Sequence, residues 1–439
     1  MIKTGKVVGY SENMKGIILS GGKTFELDGV LKDEIVEFEN NGLKKPLIKK
    51  IVDKSNDRVK PMCPVSNICG GCNFDYITYQ KEINIKKEWI TKLFKEKFKY
   101  DKSIEVISME NPLYYRNKGQ IALKPSKNGI VGGFYAEGTH KIISVDNCII
   151  QDQKISEIQN KILKILIKNN YSAYDEDKKR GIFRHILVKR SYATKEVLVV
   201  LVTAVENFPG KNNLAKLLVR EIKEITTVVQ NYNPKTTSAV LGEKEYVLYG
   251  PGFIFDIMHD NKFKITSKSF YQINSVQTNK LYSLAISLAN LDKNDILLDA
   301  YSGVGTIGIF ASKMVKQVIS VELNKDAVKN AIQNAKYNNI QNIYFYQDDA
   351  TNFILKAARE KTKIDVVIMD PPRSGSTKEF INSLLELKPK KIIYISCNPL
   401  TQVEDLRGLL HHYKLDSIIA VDMFPRTANI ESVACLEIK

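Results

Sequence analysis

The stretch "KKIIYISCNPLTQ", residues 390–402, sets one thiol at the end of an apolar, β-branched run. Residues 392–395 read as a buried strand, and Cys397 stands where the chain turns through Asn398 and Pro399 into a helix. A thiol in that position is either a small core hydrophobe or a nucleophile. With Asn398 as cap and Pro399 as first helical residue, the positive end of the helix lies close to the sulfur and favours thiolate. A second reactive group lies at Asp370, followed by Pro371 and Pro372. Two prolines fix an extended turn after a strand and hold the carboxylate at its edge. A third constellation is "ILLDAYSGVGTIGIF", where Gly303, Gly305 and Gly308 have G-x-G-x-x-G spacing between a strand and a helix. Glycines there let the backbone approach a ligand and turn tightly. Glu322, ending "VISVE", is placed to accept hydrogen bonds from two ribose hydroxyls. The glycine pattern serves NAD and S-adenosylmethionine alike. Asp349 in "QDDA", where an adenine amine is read, and the Asp370 turn favour S-adenosylmethionine.

These groups need a sheet to present them. From about residue 266 apolar strands ("ILLDA", "QVISVEL", "IYFYQDD", "IDVVIMD", "KIIYIS") alternate with helical stretches. That alternation means βαβ units, a parallel sheet, and ligands beyond the carboxyl ends of the strands. Residues 1–55 instead alternate short β-rich runs with Gly and Asn turns, which suits a small OB-like β-barrel. Residues 56–265 mix strands and helices, as in an α+β domain. Within them "ITYQKEINIKKEWITKLFKEKFK" reads as a basic amphipathic helix with Trp89, Leu93 and Phe94 on its apolar side. The expected fold is therefore multidomain: a barrel over 1–55, a central domain over 56–265, and a Rossmann-like α/β domain over 266–439.

Among 439 residues, Lys and Arg total 65 against 49 Asp and Glu, a formal charge of +16. A surplus of that size fits a phosphate-dense partner, although a general richness in lysine raises it as well. Nothing resembles a membrane segment or secretory signal, so a soluble cytoplasmic monomer with no obligate protein partner is expected. Six cysteines are too few and too unevenly spaced for a disulfide framework. Cys63, Cys69 and Cys72 crowd one loop, and Cys148 in "VDNCIIQ" is the candidate fourth ligand of a metal site. Four thiolates suit zinc or iron–sulfur equally.

Taken together, "KSFYQINSVQTNKLY", "LLDAYSGVGTIGIF", "SVELN", "MDPPRSG", "YISCNPLT" and "DMFPRTANIESVA" resemble the bacterial RNA uracil-5-methyltransferase family. The match is dense over the last 170 or so residues and extends upstream through "YYRNKGQIAL", "GFYAEGTH" and "IFRHILVKRS". The N-terminal region resembles the RNA-binding TRAM domain of many members. The resemblance implies Cys397 as nucleophile and Glu431 as base, with S-adenosylmethionine contacted by Gln272, Tyr301, Glu322, Asp370 and Asp349 beside the Gly303–Gly305 loop. It also favours a [4Fe-4S] cluster on Cys63, Cys69, Cys72 and Cys148 over zinc. Candidate RNA contacts are Arg116, Lys118, Arg184 and His185, with Lys189 and Arg190 beside them.

The implied reaction explains the residue types. Uracil C5 is too poor a nucleophile to take a methyl from a sulfonium until a thiolate adds at C6, and a base must afterwards remove the C5 proton. Barrel and cysteines resemble the branch acting on 23S ribosomal RNA more than the tRNA T-loop branch. An RNA cytosine-5 methyltransferase is a nearer enzymatic rival, and a non-catalytic RNA-binding or ribosome-assembly protein is the alternative from another class. The terminal motif departs from the family, with Arg426 and Asn429 where many members carry histidines, and Ser302 stands where a cysteine is frequent.

Overall fold

A computed structural model describes residues 2–40, 46–127, 129–136, 138–237 and 239–439. The strands Ile2–Tyr10, Gly16–Ser20, Lys23–Leu27, Ile35–Glu39 and Leu47–Asp53 form an antiparallel sheet in the order third, second, first, fourth, fifth. Val7, Ile18, Leu27, Val30, Val36 and Phe38 fill its small core. Among the described residues no ladder joins the third strand to the fifth. The expected barrel is thus seen as an open five-stranded sheet folded over that core.

The next unit is a seven-stranded sheet whose centre is Val197–Thr203 paired with Phe183–Arg190 and Ile225–Tyr232. Every residue of Val197–Thr203 is buried, because helices Gln153–Lys168 and Lys211–Glu221 cover one face and further chain covers the other. A strand buried on both faces reads as an unbroken apolar run, as "VLVVLVT" does.

The third sheet has eight strands in the spatial order Ile343–Gln347, Gln317–Glu322, Ile296–Ala300, Val366–Met369, Lys391–Ser396, Glu431–Ile438, Tyr413–Val421 and Glu105–Ile107. Glu431–Ile438 runs antiparallel to both neighbours, and the other pairings are parallel. The order reverses between Ile296–Ala300 and Val366–Met369, so a crevice opens past their carboxyl ends. Glu105–Ile107 arrives from the N-terminal half and extends the sheet edge.

Helix Tyr79–Phe98 packs over the same domain, its first turn capped by Thr78 accepting from the Lys81 N–H. Leu93 and Phe94 are buried in its interface, and Trp89 donates Nε1–H to the Ser11 carbonyl at 3.1 Å. The reading as a basic amphipathic helix misses that Glu82 and Lys86 are fully buried on this face, paired to each other at 2.7 Å. No helix among the described residues is long and apolar enough to cross a membrane.

Candidate active site

A cavity of about 790 Å³ opens at the crevice, and Gln272, Tyr301, Gly303, Glu322, Asp370, Cys397 and Glu431 all line it. Each arrives by local necessity. Asn398 caps helix Pro399–Leu409 by accepting from the Leu400 N–H at 3.3 Å, and Pro399 opens the helix, so the strand must end at Ser396, one residue before Cys397. Asn398 Nδ2 donates to the Arg373 carbonyl at 3.0 Å and Thr401 Oγ1 does so at 3.2 Å. The Cys397 turn is thereby tied to the loop that follows Asp370. Gln402 spans the other side, donating to the Tyr394 carbonyl and accepting from Ser432 Oγ at 2.6 Å, next to Glu431.

On the cofactor side Tyr301 has φ of 63°, a left-handed backbone unusual for a residue with a side chain, and its hydroxyl lies 2.8 Å from Ser376 Oγ. The glycines have different tasks. Gly303 has φ of 56° and open space around it, and its N–H donates to Glu322 Oε2 at 2.9 Å. Gly305 does not line the cavity. It caps helix Thr306–Ala311 at φ 79°, and a Cβ there would meet Ala331 and Phe345 at 3.1 Å. Glu322 Oε1 also accepts from the Asn324 N–H at 2.7 Å. Asp349, expected at the adenine, is outside the cavity wall and spends its carboxylate on the Thr351 and Asn352 N–H groups as a helix cap.

The reacting side is electrostatically tense. Burial raises the carboxyls of Asp370 and Glu431, and the Asp370 charge raises Glu431 further. Glu431 is 2% exposed, and its Oε2 has no hydrogen-bond partner. The Cys397 thiol is pushed up to about 11, first by burial and then by the Glu431 and Asp370 charges, against the pull of Arg373. Desolvation and the two neighbouring carboxyls thus oppose the preference for thiolate expected from the helix N-terminus.

Sequence reasoning passed over several wall residues. Tyr282, on helix Ser275–Ala289, lines the cavity with its hydroxyl bonded to Gln272 and its acidity suppressed by burial and the two carboxylates. Arg373 reaches Asn429 Oδ1 at 3.3 Å, and Thr427 lines the same wall. No spacing signal marks Tyr282. The Arg in "DPPR" was visible but carried no role.

Four cysteines, Cys63, Cys69, Cys72 and Cys148, line a second cavity of about 330 Å³ whose wall shares Gly71 and Arg116 with the first. Burial raises the thiols of Cys63, Cys69 and Cys72, with the proximity of Cys148 adding to each. Four sulfurs in one pocket fit the donor chemistry of a thiolate-held centre. Yet among the described residues no three His, Cys, Asp or Glu stand close enough together to hold a metal ion. The four expected ligands are thus gathered around one pocket without forming a closed ligand set.

The candidate RNA contacts divide. Arg116 lines both cavities and Lys118 the cysteine pocket, its ammonium disfavoured by burial and by Arg116. Arg184 instead turns inward at 6% exposure, bonding Glu176 and the carbonyls of Asn233 and Lys235. His185 is held neutral by burial, down to about 4, with Nδ1 unpartnered. Lys189 is also buried, donating to the carbonyls of Thr266 and Ser269 at 2.8 Å.

A parallel sheet with a glycine loop, an acidic residue closing the next strand and a roomy crevice at the switch point define the class: this is an S-adenosylmethionine-dependent methyltransferase. Residues 256–439 match the family described as tRNA (Uracil-5-)-methyltransferase, and residues 71–334 match one described as DNA methylase. The second match takes in the cofactor loop but ends before Asp370 and Cys397. An uncharacterized RNA methyltransferase of Staphylococcus aureus (strain COL) is 37% identical over 445 residues, covering 100% of this chain and 98% of that one. One from Staphylococcus epidermidis (strain ATCC 12228 / FDA PCI 1200) is 38% identical over 440 residues, covering 99% and 96%. Among solved structures, the tRNA (uracil-54, C5)-methyltransferase of Pyrococcus abyssi in complex with S-adenosyl-L-homocysteine superposes with a TM-score of 0.78 at 26% identity, covering 99% of this chain and 100% of that one. The chain belongs to the S-adenosylmethionine-dependent RNA (uracil-C5) methyltransferase family.

Proposed function

We propose that the enzyme methylates C5 of uridine in a structured RNA with Cys397 as nucleophile and Glu431 as base. The observation that carries this is the meeting of a strand-tip thiol with two raised carboxyls on one cavity wall beside the glycine loop. Cys397, its proton given up to solvent, adds as thiolate to uracil C6, and the C5–C6 π pair moves toward O4, which makes C5 nucleophilic toward the donor methyl. S-adenosylmethionine supplies an electrophilic methyl group, and its sulfonium charge offsets the carboxylates that hold the thiol up. Gln272, Tyr301, Gly303, Glu322 and Asp370 hold that donor. Glu431 then takes the C5 proton, the pair re-forms the C5–C6 double bond, and sulfur leaves as thiolate. A carboxylate raised by burial is the stronger base for that step. The uridine must leave its stack to enter, a cost of about a few kcal/mol that unpaired loops largely avoid.

Two RNA classes fit, each with its own support. The names of the matched family and of the Pyrococcus relative point to tRNA, and they favour a T-loop-like uridine. The five-stranded N-terminal sheet, read as a TRAM domain, and the four-cysteine pocket support the alternative, 23S ribosomal RNA. In that pocket Cys63, Cys69, Cys72 and Cys148 would hold a [4Fe-4S] cluster, whose place is structural because methyl transfer moves no electron. Arg116 and Lys118 are the RNA contacts retained.

The test uses 5-fluorouridine, from which no C5 proton can leave. With S-adenosylmethionine and tRNA or 23S fragments carrying it, the enzyme should stall as a covalent RNA adduct on the true substrate. Cys397→Ala should form none, and an adduct persisting in that variant would overturn the nucleophile.

A further inference from the structure

Arg426 lies in the terminal motif that leads to Glu431, and it is not part of the cavity wall. It is 8% exposed, has φ of 70°, and sends its backbone N–H, carbonyl and Nη1 to residues 73–82, while its Nε is buried with no partner among the described residues. Its N–H donates to Glu82 Oε1 at 2.8 Å, and its carbonyl accepts from the N–H groups of Asn73 at 2.8 Å and Phe74 at 3.1 Å. Its Nη1 donates to the Ile77 carbonyl at 2.9 Å and lies 3.8 Å from Glu82 Oε2. Flanking residues are fastened to the same place. Asn73 Oδ1 accepts from the Ala428 N–H at 3.0 Å, and Tyr115 donates its hydroxyl to the Pro425 carbonyl at 3.0 Å. Just upstream, Asp422 is held by Lys86 and Tyr79 at 2.7 Å each, all within the buried helix face.

The other side of this loop is active-site wall: Phe424, Thr427 and Asn429 line the cavity, and the loop runs directly into Glu431. Between residues 425 and 429 the long-range bonds left among the described residues are the 3.4 Å contact of Arg426 Nη1 with the Phe74 carbonyl, within the same dock, and the 3.3 Å contact of Arg373 with Asn429. The Cys397 turn is tied instead to the Arg373 loop, through Asn398 and Thr401, and does not touch residues 73–82 in these bonds. The dock also begins one residue after Cys72, and Gly71 lines the catalytic cavity.

We infer that Arg426 is a positioning residue: docked on residues 73–82, it keeps the 424–430 wall closed over Glu431 and makes proton removal depend on the segment that follows the cysteine loop. This rests on the Cys397–Glu431 reading of the reaction. A strained left-handed backbone at a site wall is kept because its surroundings over-determine it. Here the over-determination comes from a segment some 350 residues away in sequence. Undocking should admit water beside Glu431 and return its carboxyl toward its ordinary range, while leaving the thiol in place.

The test compares Arg426→Ala with the milder Asn73→Ala, which removes one acceptor from a partly exposed residue. Formation of the 5-fluorouridine adduct should stay within a few-fold of the parent enzyme. Turnover on uridine RNA should fall about tenfold or more in Arg426→Ala and less in Asn73→Ala, with unreleased protein–RNA adduct accumulating and the pH midpoint of release shifted down. Parallel loss of both steps with an unmoved midpoint would overturn the positioning role in favour of a merely structural one, and so would unchanged release in both variants. Amide hydrogen exchange reads the docking without RNA: protection over residues 424–430 should drop in both variants, and retained protection would overturn the dock. If the parent enzyme formed no adduct on any RNA, the function would fall, and exchange would still decide the docking.

Discussion

Glu322 and Glu431 line the same cavity and are treated in opposite ways. Glu322 closes a strand in the cofactor half, and both of its oxygens accept backbone N–H groups, from Gly303 and Asn324. Glu431 opens a strand in the reacting half, fully buried, with one oxygen unpartnered and a second carboxyl nearby. A binding carboxylate can have its needs met by the fold and still present its outer lone pairs to a ligand. A base is useful because its needs are unmet: desolvation raises its affinity for the proton it must take. The fold can carry that cost because Glu431–Ile438 lies between two partners, Lys391–Ser396 and Tyr413–Val421, and cannot slide away from it.

The comparison breaks first at Glu431. Glu431→Gln keeps the shape and removes the proposed base, so release of the methylated product should fall by roughly 10²–10⁴, the range ascribed to general base catalysis. S-adenosylmethionine affinity, read by calorimetry, should hardly change, and adduct should accumulate on ordinary uridine RNA. Normal turnover by this variant would assign the base elsewhere. Glu322→Gln is the mirror experiment. It weakens charge-assisted hydrogen bonds to the ligand worth about 1.5–3 kcal/mol, so cofactor affinity should fall about 10- to 100-fold. At saturating cofactor the balance of adduct formation and release should be unchanged. A release defect there would erase the division between halves.

The two halves also differed in how far they could be read beforehand. The cofactor loop, the Asp370 turn and the Cys397 turn are marked by glycine and proline punctuation at strand ends, which acts over a few residues and is visible in a string. Asn398 and Pro399 take their expected places as cap and first helical residue. What escaped is whatever depends on which surface a neighbouring element covers. Lys86 and Glu82 lie on a helix whose charge reads as solvated, yet Asp422 and Arg426 arrive from the far end of the chain to pair with them. Arg184 and His185 sit on a strand that is covered on both faces, which buries Arg184 and leaves His185 only partly exposed, where a phosphate ligand must reach solvent. The Cys397 thiol shows the same limit: its helix cap is local and readable, but the burial that raises it, and the Glu431 and Asp370 carboxyls that add to it, come from other parts of the chain.

The smallest effect sharpens the comparison most, because it needs neither RNA nor cofactor. A carboxyl whose folded-state pKa is raised above its unfolded value binds its proton more tightly in the folded protein. The folded state then binds more protons than the unfolded one between the two pKa values, and stability falls as pH rises through that window. Burial raises Glu431, so ionising it costs the folded protein stability above the ordinary glutamate range near pH 4.3. Glutamine mimics the neutral acid at every pH. Glu431→Gln should therefore melt about 1–4 °C above the parent protein at pH 8.5 and level with it near pH 4, scanned in the same buffers. Glu322→Gln should gain nothing at pH 8.5, since its carboxylate is already bonded by backbone N–H groups that an amide oxygen satisfies less well. A stabilisation of both variants at high pH would mean that burial charge alone, and not the division between a satisfied ligand group and an unsatisfied base, sets the cost of this cavity.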